Sequence, residues 1–229
     1  MTLSVKTERY ETVLGLCYLF LQFFILEPIF VFLNAFLKLS AVELNFFYFT
    51  FNFICICGIF HKFLIRSFRV VLQQPRCWLK YFGFGLLINF GGMQIIGTVI
   101  ALALPDFVNP NNANVGGMIS ENPLLMVLAT VVFVPFAEEL LFRGVIFQGL
   151  HKKNRILAYG VSMLVFAIIH VAGYWGAGTA VLILSFFQYL PAGFALAFAY
   201  EKADTIWAPI LIHATINLIA NLSTLLMGV

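Results

Sequence analysis

Glu138 and Glu139 are adjacent, and Arg143 follows one helical turn later, inside the apolar segment Pro135-Phe-Ala-Glu-Glu-Leu-Leu-Phe-Arg-Gly144. Upstream, residues 124–137 carry no charge. A charged side chain near the centre of a bilayer costs at least ~2.5–3.5 kcal/mol on insertion scales. Three of them within six residues must be paired, hydrated or used. Glu139 and Arg143 lie four apart with the glutamate N-terminal, so they stack on one helical face and are expected to form a structural ion pair. Glu138 points about 100° away from that face and has no partner on its own helix. It reads as a carboxylate aimed at a cavity, placed to accept and return a proton.

Two further apolar segments carry polar groups. One ends Phe166-Ala-Ile-Ile-His170; the other contains His213-Ala-Thr-Ile-Asn217, with His and Asn on one face. Counted from the flanking polar stretches, Glu138, His170 and His213 fall in the middle part of three different spans. A carboxylate and two imidazoles at similar depth, with an amide one turn from the second imidazole, form a joint candidate site. Such a set can activate water, directly or on a metal, and His213 and Asn217 can donate to a tetrahedral oxyanion. No H-E-x-x-H and no G-x-S-x-G occurs, which disfavours a zincin and a serine elbow. The chemistry these residues suit is hydrolysis of an amide inside the membrane. Glu27, Asn89, Gln94 and Gln188 lack comparable partners and read as structural, with Gln188 a candidate cavity liner.

The elements that must position these groups are membrane helices. Of 229 residues, 62% are hydrophobic and 10% charged, against roughly 25% charged in a soluble domain. A bilayer core of ~30 Å takes about 20 helical residues. Apolar spans fall at approximately 13–37, 41–64, 79–104, 124–149, 156–173, 177–200 and 206–227. The fold class expected is all-α: a polytopic membrane bundle of seven helices, or eight if a long span is split, with the active site on the four C-terminal ones. The first span is too long for a signal-peptide core and lacks an A-x-A-like cleavage site, so it is expected to be retained.

The basic residues test this count. Lys6, Arg9, Lys62, Arg66, Arg69, Arg76, Lys80, Lys152, Lys153, Arg155 and Lys202 all fall on one side if the spans alternate, and only Lys38 falls on the other. The positive-inside rule then puts the N-terminus in the cytoplasm and the C-terminus outside. The net charge of +3 is spread over several connections and is no nucleic-acid signature. The stretch Lys62–Lys80 is expected as a membrane-surface helix, with Phe63, Leu64, Phe68, Val71 and Leu72 towards lipid. Pro105 to Pro123, rich in Asn and Gly, reads as a loop. Gly193-x-x-x-Ala197 and Ala195-x-x-x-Ala199 permit close helix approach. Cys17, Cys55, Cys57 and Cys77 read as packing residues.

Glu138-Glu139-x-x-x-Arg143, Phe166-x-x-x-His170 and His213-x-x-x-Asn217, in this order on successive helices, resemble the CAAX protease and bacteriocin-processing (CPBP, or Abi) family of intramembrane proteases. The approach Trp207-Ala-Pro-Ile-Leu-Ile-His213 looks like that family's last motif, and the resemblance covers roughly residues 120 to 222, the expected catalytic core of a single membrane domain, 1–229. It implies an all-helical membrane endopeptidase whose eukaryotic members remove the C-terminal tripeptide from prenylated CAAX proteins. Carried over, Glu138 would activate water with help from His170, His213 and Asn217 would form the oxyanion hole, and Glu139 and Arg143 would hold the site together. Tyr174 stands where some members carry an Asn. Members are often labelled metalloproteases, but the glutamate mechanism needs no metal, and this residue set does not favour zinc. Short connections look like a bacterial member, residing in the cytoplasmic membrane, with membrane lipids and a membrane-bound protein or peptide substrate as partners and no nucleic acid. The alternative reading is a non-catalytic bacteriocin-immunity or scaffold protein that binds a peptide through the same cavity.

Overall fold

The computed structural model describes residues 3–227, and its described residues form helices and short connections without strands. The helices are α1 (Arg9–Leu37), α2 (Ala41–Gln73), α3 (Pro75–Ala103), α4 (Pro110–Glu121), α5 (Pro123–His151), α6 (Arg155–Val171), α7 (Thr179–Ala203) and α8 (Trp207–Met227). Six of them are long and apolar enough to cross a membrane; α6, at 17 residues, and α4, at 12, are shorter. The outcome is an all-α membrane bundle. Its outer surface is rich in exposed Phe, Leu, Ile and Val, the composition a lipid-facing surface requires.

Two expectations fail. The stretch 62–80 does not form a separate surface helix: α2 runs unbroken to Gln73 and the break comes only at Gln74–Pro75. No Gly or Pro interrupts 62–73, and Arg66 is anchored by Glu8 and Glu11, each at 2.7 Å. Phe63 and Leu64 accordingly face the core and not lipid. The stretch 105–123 is not all loop either. Asn109 caps α4 through Oδ1, which accepts from the backbone N–H groups of Asn111 and Asn112, and Pro110 occupies the first turn. An Asn-Pro pair in these two positions is a strong helix start.

Close approach in the C-terminal half follows the small residues. A Cβ added to Gly193 would lie 3.0 Å from Met163 Cα, so glycine lets α7 sit directly on α6. Ala195, Ala197 and Ala199 are fully buried around it. Gly92 of α3 is equally crowded, with Pro191 of α7 2.7 Å from the Cβ it lacks.

The end of the bundle that carries the basic connections is closed by buried hydrogen bonds. Gln148 Oε1 accepts from the Thr7 backbone N–H at 2.8 Å, and its Nε2 donates to Tyr200 Oη at 2.7 Å. Ser67 Oγ and Thr205 Oγ1 are 2.9 Å apart, and Ser67 Oγ accepts from the Ile206 N–H at 2.8 Å. Trp207 Nε1 donates to the Leu64 carbonyl at 3.1 Å. Ser4 and Asp204 are also hydrogen-bonded there.

Candidate active site

The site is built on α5, α6 and α8. α5 widens into π-helical turns at Ala129–Phe133 and Leu140–Phe147, on either side of the two glutamates. Such turns are frequent at functional positions. Here one has an identifiable effect. The Val134 N–H bonds back to Ala129 O, and Pro135 has no N–H to give. Thr130 O is thereby left free, and it accepts from Asn217 Nδ2 at 2.7 Å. Asn221, one turn further along α8, donates to Thr130 Oγ1 at 2.7 Å.

Glu139 and Arg143 are fully buried and paired, Nη1 to Oε1 at 3.0 Å. The same Oε1 accepts from His213 Nδ1 at 2.9 Å. Arg143 Nη2 donates to Gly193 O at 3.2 Å, and its guanidinium lies 4.8 Å over the Phe166 ring. Arg143 thus ties α5 to both α6 and α7. Glu139 does more than the ion pair expected of it, because it also fixes the His213 ring. With Nδ1–H given to a carboxylate, a neutral His213 presents a bare Nε2.

His170 stands on the last turn of α6, not at the middle of a span, because α6 ends at Val171. Its Nδ1 donates to Phe166 O at 2.7 Å; a carbonyl can only accept, so Nδ1 carries the proton and Nε2 is free. The ring stacks on Tyr189 with centroids 4.4 Å apart. Tyr174 is not a partner of His170. Its hydroxyl donates to Asn111 Oδ1 at 3.2 Å and accepts from Asn114 Nδ2 at 3.1 Å.

Glu138, His170, His213 and Asn217 all line one cavity of about 630 Å³. Glu138 Oε2 is buried and has no hydrogen-bond partner. An unpaired carboxylate oxygen facing a cavity is the opposite of structural glue, since burial without a partner is strongly unfavourable. Gln188 lines the cavity, as its position suggested, and so does Asn89, whose buried Oδ1 also lacks a partner. The asparagines of α4 were missed altogether. Asn109 Nδ2 donates to Gln188 Oε1 at 2.8 Å, and Asn111 Nδ2 to Tyr189 Oη at 2.9 Å. Their signal in the sequence was the repeated Asn itself, which reads first as loop. Among the described residues, no three His, Cys, Asp or Glu side chains group as a metal-ligand set.

The fold and site define a polytopic helical membrane protein with one unpaired carboxylate, two oriented imidazoles and an amide in a common pocket. Residues 120–219 match the family model described as "Type II CAAX prenyl endopeptidase Rce1-like". A Bacillus subtilis (strain 168) protein named "Putative membrane peptidase YdiL" is 33% identical over 96 residues, which is 42% of this chain and 35% of that protein. The Lactococcus lactis (strain IL1403) "UPF0177 protein YxdF" is 29% identical over 87 residues, 38% of this chain and 43% of that protein. The chain therefore spans less than half the length of these curated relatives. No solved structure matches the chain.

Proposed function

We propose that the protein is an intramembrane endopeptidase that cleaves a membrane-associated protein or peptide by glutamate-activated water. The observation that carries this reading is the unpaired Glu138 carboxylate in a cavity shared with His170, His213 and Asn217. Glu138 takes a proton from a water held against it, assisted by the free Nε2 of His170. The water oxygen attacks the peptide carbonyl carbon, and negative charge moves to the carbonyl oxygen. Asn217 has a second Nδ2 hydrogen beyond the one given to Thr130, and it donates to that oxyanion. His213 donates through Nε2 as the doubly protonated ring, which Glu139 holds in place. Glu138 then passes its proton to the leaving nitrogen as the C–N bond breaks.

This scheme needs no metal. Both Nδ1 atoms are already engaged, and the remaining donors are those the hydrolysis itself uses. The family and the relatives' names support proteolysis within the membrane. Whether the substrate is a prenylated CAAX protein, a leader peptide or a bacteriocin is a separate question of specificity.

The test is cleavage of a membrane-proteome-derived peptide pool in liposomes, comparing wild type with Glu138→Gln, with and without a zinc chelator. Fragments from wild type alone, unaffected by chelator, are expected. Loss of cleavage on chelation, restored by zinc, would reassign Glu138 and the histidines as ligands. Equal fragments from both proteins would remove Glu138 from the mechanism.

A further inference from the structure

The cavity lies towards one end of the bundle. Its deep wall is made by Glu138, Phe166, Leu196 and His213, and from there it runs along α8 past Asn217 and Asn221 to the asparagines of α4. None of its lining residues lies in the connections that hold the basic side chains. That opposite end is sealed by the buried Thr7–Gln148–Tyr200 and Ser67–Thr205 hydrogen bonds. The mouth and the basic connections are thus on opposite faces. Because Lys and Arg mark the cytoplasmic side, the mouth faces away from the cytoplasm.

The chemistry of the mouth is equally one-sided. Glu138 is its one carboxylate, deep inside, and the lining holds no Lys, Arg or Asp. The rim is a collar of amides and phenols: Tyr189 Oη donates to Asn112 Oδ1 at 3.0 Å and accepts from Asn111 Nδ2 at 2.9 Å, while Tyr174 bridges Asn111 and Asn114. Deeper in, the buried Asn89 Oδ1 has no partner. Each Asn offers both donors and an acceptor. An extended peptide carries an unpaired N–H or C=O on every residue, and all of them need partners at membrane depth. A terminal carboxylate would find no Lys or Arg among the lining residues.

We propose that an extended, uncharged stretch of polypeptide enters this cavity from the extracytoplasmic face, its main-chain amides held by the asparagine–tyrosine collar of α4. The proposal rests on the peptidase reading of the site and narrows it. The substrate is cut at an internal peptide bond and is presented from outside. Binding exchanges the collar's internal hydrogen bonds for ones to the peptide backbone, which keeps recognition tolerant of sequence.

The test uses full-length protein in which the four native cysteines are replaced and Glu138→Gln prevents turnover. Asn112→Cys and Lys153→Cys, both at exposed positions, are introduced separately. A membrane-impermeant maleimide should modify Asn112→Cys in intact cells and Lys153→Cys only after permeabilisation. The reverse pattern overturns the assigned face. Next, a pool of acetylated, amidated neutral peptides should slow labelling of Asn112→Cys several-fold, and Tyr189→Phe should weaken that protection. Unchanged labelling overturns the collar as a peptide site, and better protection by peptides with free carboxylates overturns the uncharged class. Neither readout depends on hydrolysis, so both stand or fall separately from the cleavage assay.

Discussion

Glu139 Oε1 accepts two hydrogen bonds, from Arg143 Nη1 at 3.0 Å and from His213 Nδ1 at 2.9 Å. One buried oxygen therefore links the ion pair that holds α5, α6 and α7 together to the imidazole assigned to the oxyanion. Structural support and chemistry are joined at that atom, and substitutions around it should separate the two.

Arg143→Ala leaves Glu139 buried without its cation. Removing one partner of a buried pair costs about 3–5 kcal/mol, whereas replacing both with apolar groups is often close to neutral. Arg143→Ala is thus expected to lower the melting temperature and the yield of folded protein sharply. The pair Glu139→Leu with Arg143→Met should recover much of that stability but not turnover, because His213 loses the group that orients it. Thermal unfolding in detergent, with kcat measured on the same samples, checks both halves. Recovery of kcat alongside stability would show that Glu139 acts on the fold alone.

Asn217 and Asn221 both bond Thr130, one to its carbonyl and one to its hydroxyl. Their truncations should cost similar stability, about 1 kcal/mol each. They differ in reach, since Asn217 keeps a second donor for the oxyanion. Asn217→Ala is expected to lower kcat roughly 10²–10³-fold, the usual effect of losing one such donor, with KM little changed. Asn221→Ala should leave kcat within a few-fold. Similar kcat losses in the two variants would contradict an oxyanion role for Asn217. His213→Ala is expected to follow Asn217→Ala, with turnover falling more than binding.

Much of this site was legible from spacing. Glu139 and Arg143 pair because i,i+4 fixes their geometry, and Glu138, His170, His213 and Asn217 share a cavity because their helices are neighbours. What spacing could not give was each group's second contact. The bond from His213 to Glu139 depends on how α8 is rotated against α5, which is set by packing and not by either helix alone. The free Thr130 carbonyl depends on a π-turn that hydropathy does not register. The basic stretch after residue 61 was misread because amphipathicity alone does not distinguish a surface helix from the end of a long spanning one. The tie-breaker, Arg66 reaching Glu8 and Glu11, joins residues far apart in the sequence. The α4 asparagines were read as loop because composition outweighed the Asn109 cap.

Gly193 has two duties. Its missing side chain brings α7 against Met163, and its carbonyl accepts from Arg143. Gly193→Val would force the two helices apart, with a Cβ only 3.3 Å from the Met163 carbonyl oxygen. Overpacking of this kind costs about 1–3 kcal/mol, and the shift would also lengthen the Arg143 contact. The expected result is a lower melting temperature together with reduced kcat. Gly149, with open space where its Cβ would sit, is the matched control, and Gly149→Ala should leave both quantities unchanged. A Gly193→Val protein as stable as wild type would refute the tight α6–α7 contact.

Glu201 is the counterpart of Glu139 at the basic end, and it does not line the cavity that holds Glu138. Its Oε1 accepts from Arg155 Nε at 2.6 Å and lies 2.8 Å from His151 Nε2; its Oε2 accepts from Arg155 Nη2 and Tyr159 Oη, each at 2.8 Å. The carboxylate is buried while the Arg155 side chain is 55% exposed. One residue on α7 thus clamps the end of α5 and the start of α6, at the end of the bundle that carries the basic connections. Glu201→Gln keeps the volume and removes the charge, and hydrogen bonds to charged groups are worth about 1.5–3 kcal/mol before solvent screening at Arg155 is discounted. The variant should therefore unfold at lower temperature, while kcat and KM stay within a few-fold of wild type because Glu201 lies outside the cavity that holds Glu138 and the α4 collar. Parallel melting curves and Michaelis–Menten plots decide the matter: a large fall in kcat at unchanged stability would mean that the clamp is coupled to the reacting groups and is no mere closure of the bundle.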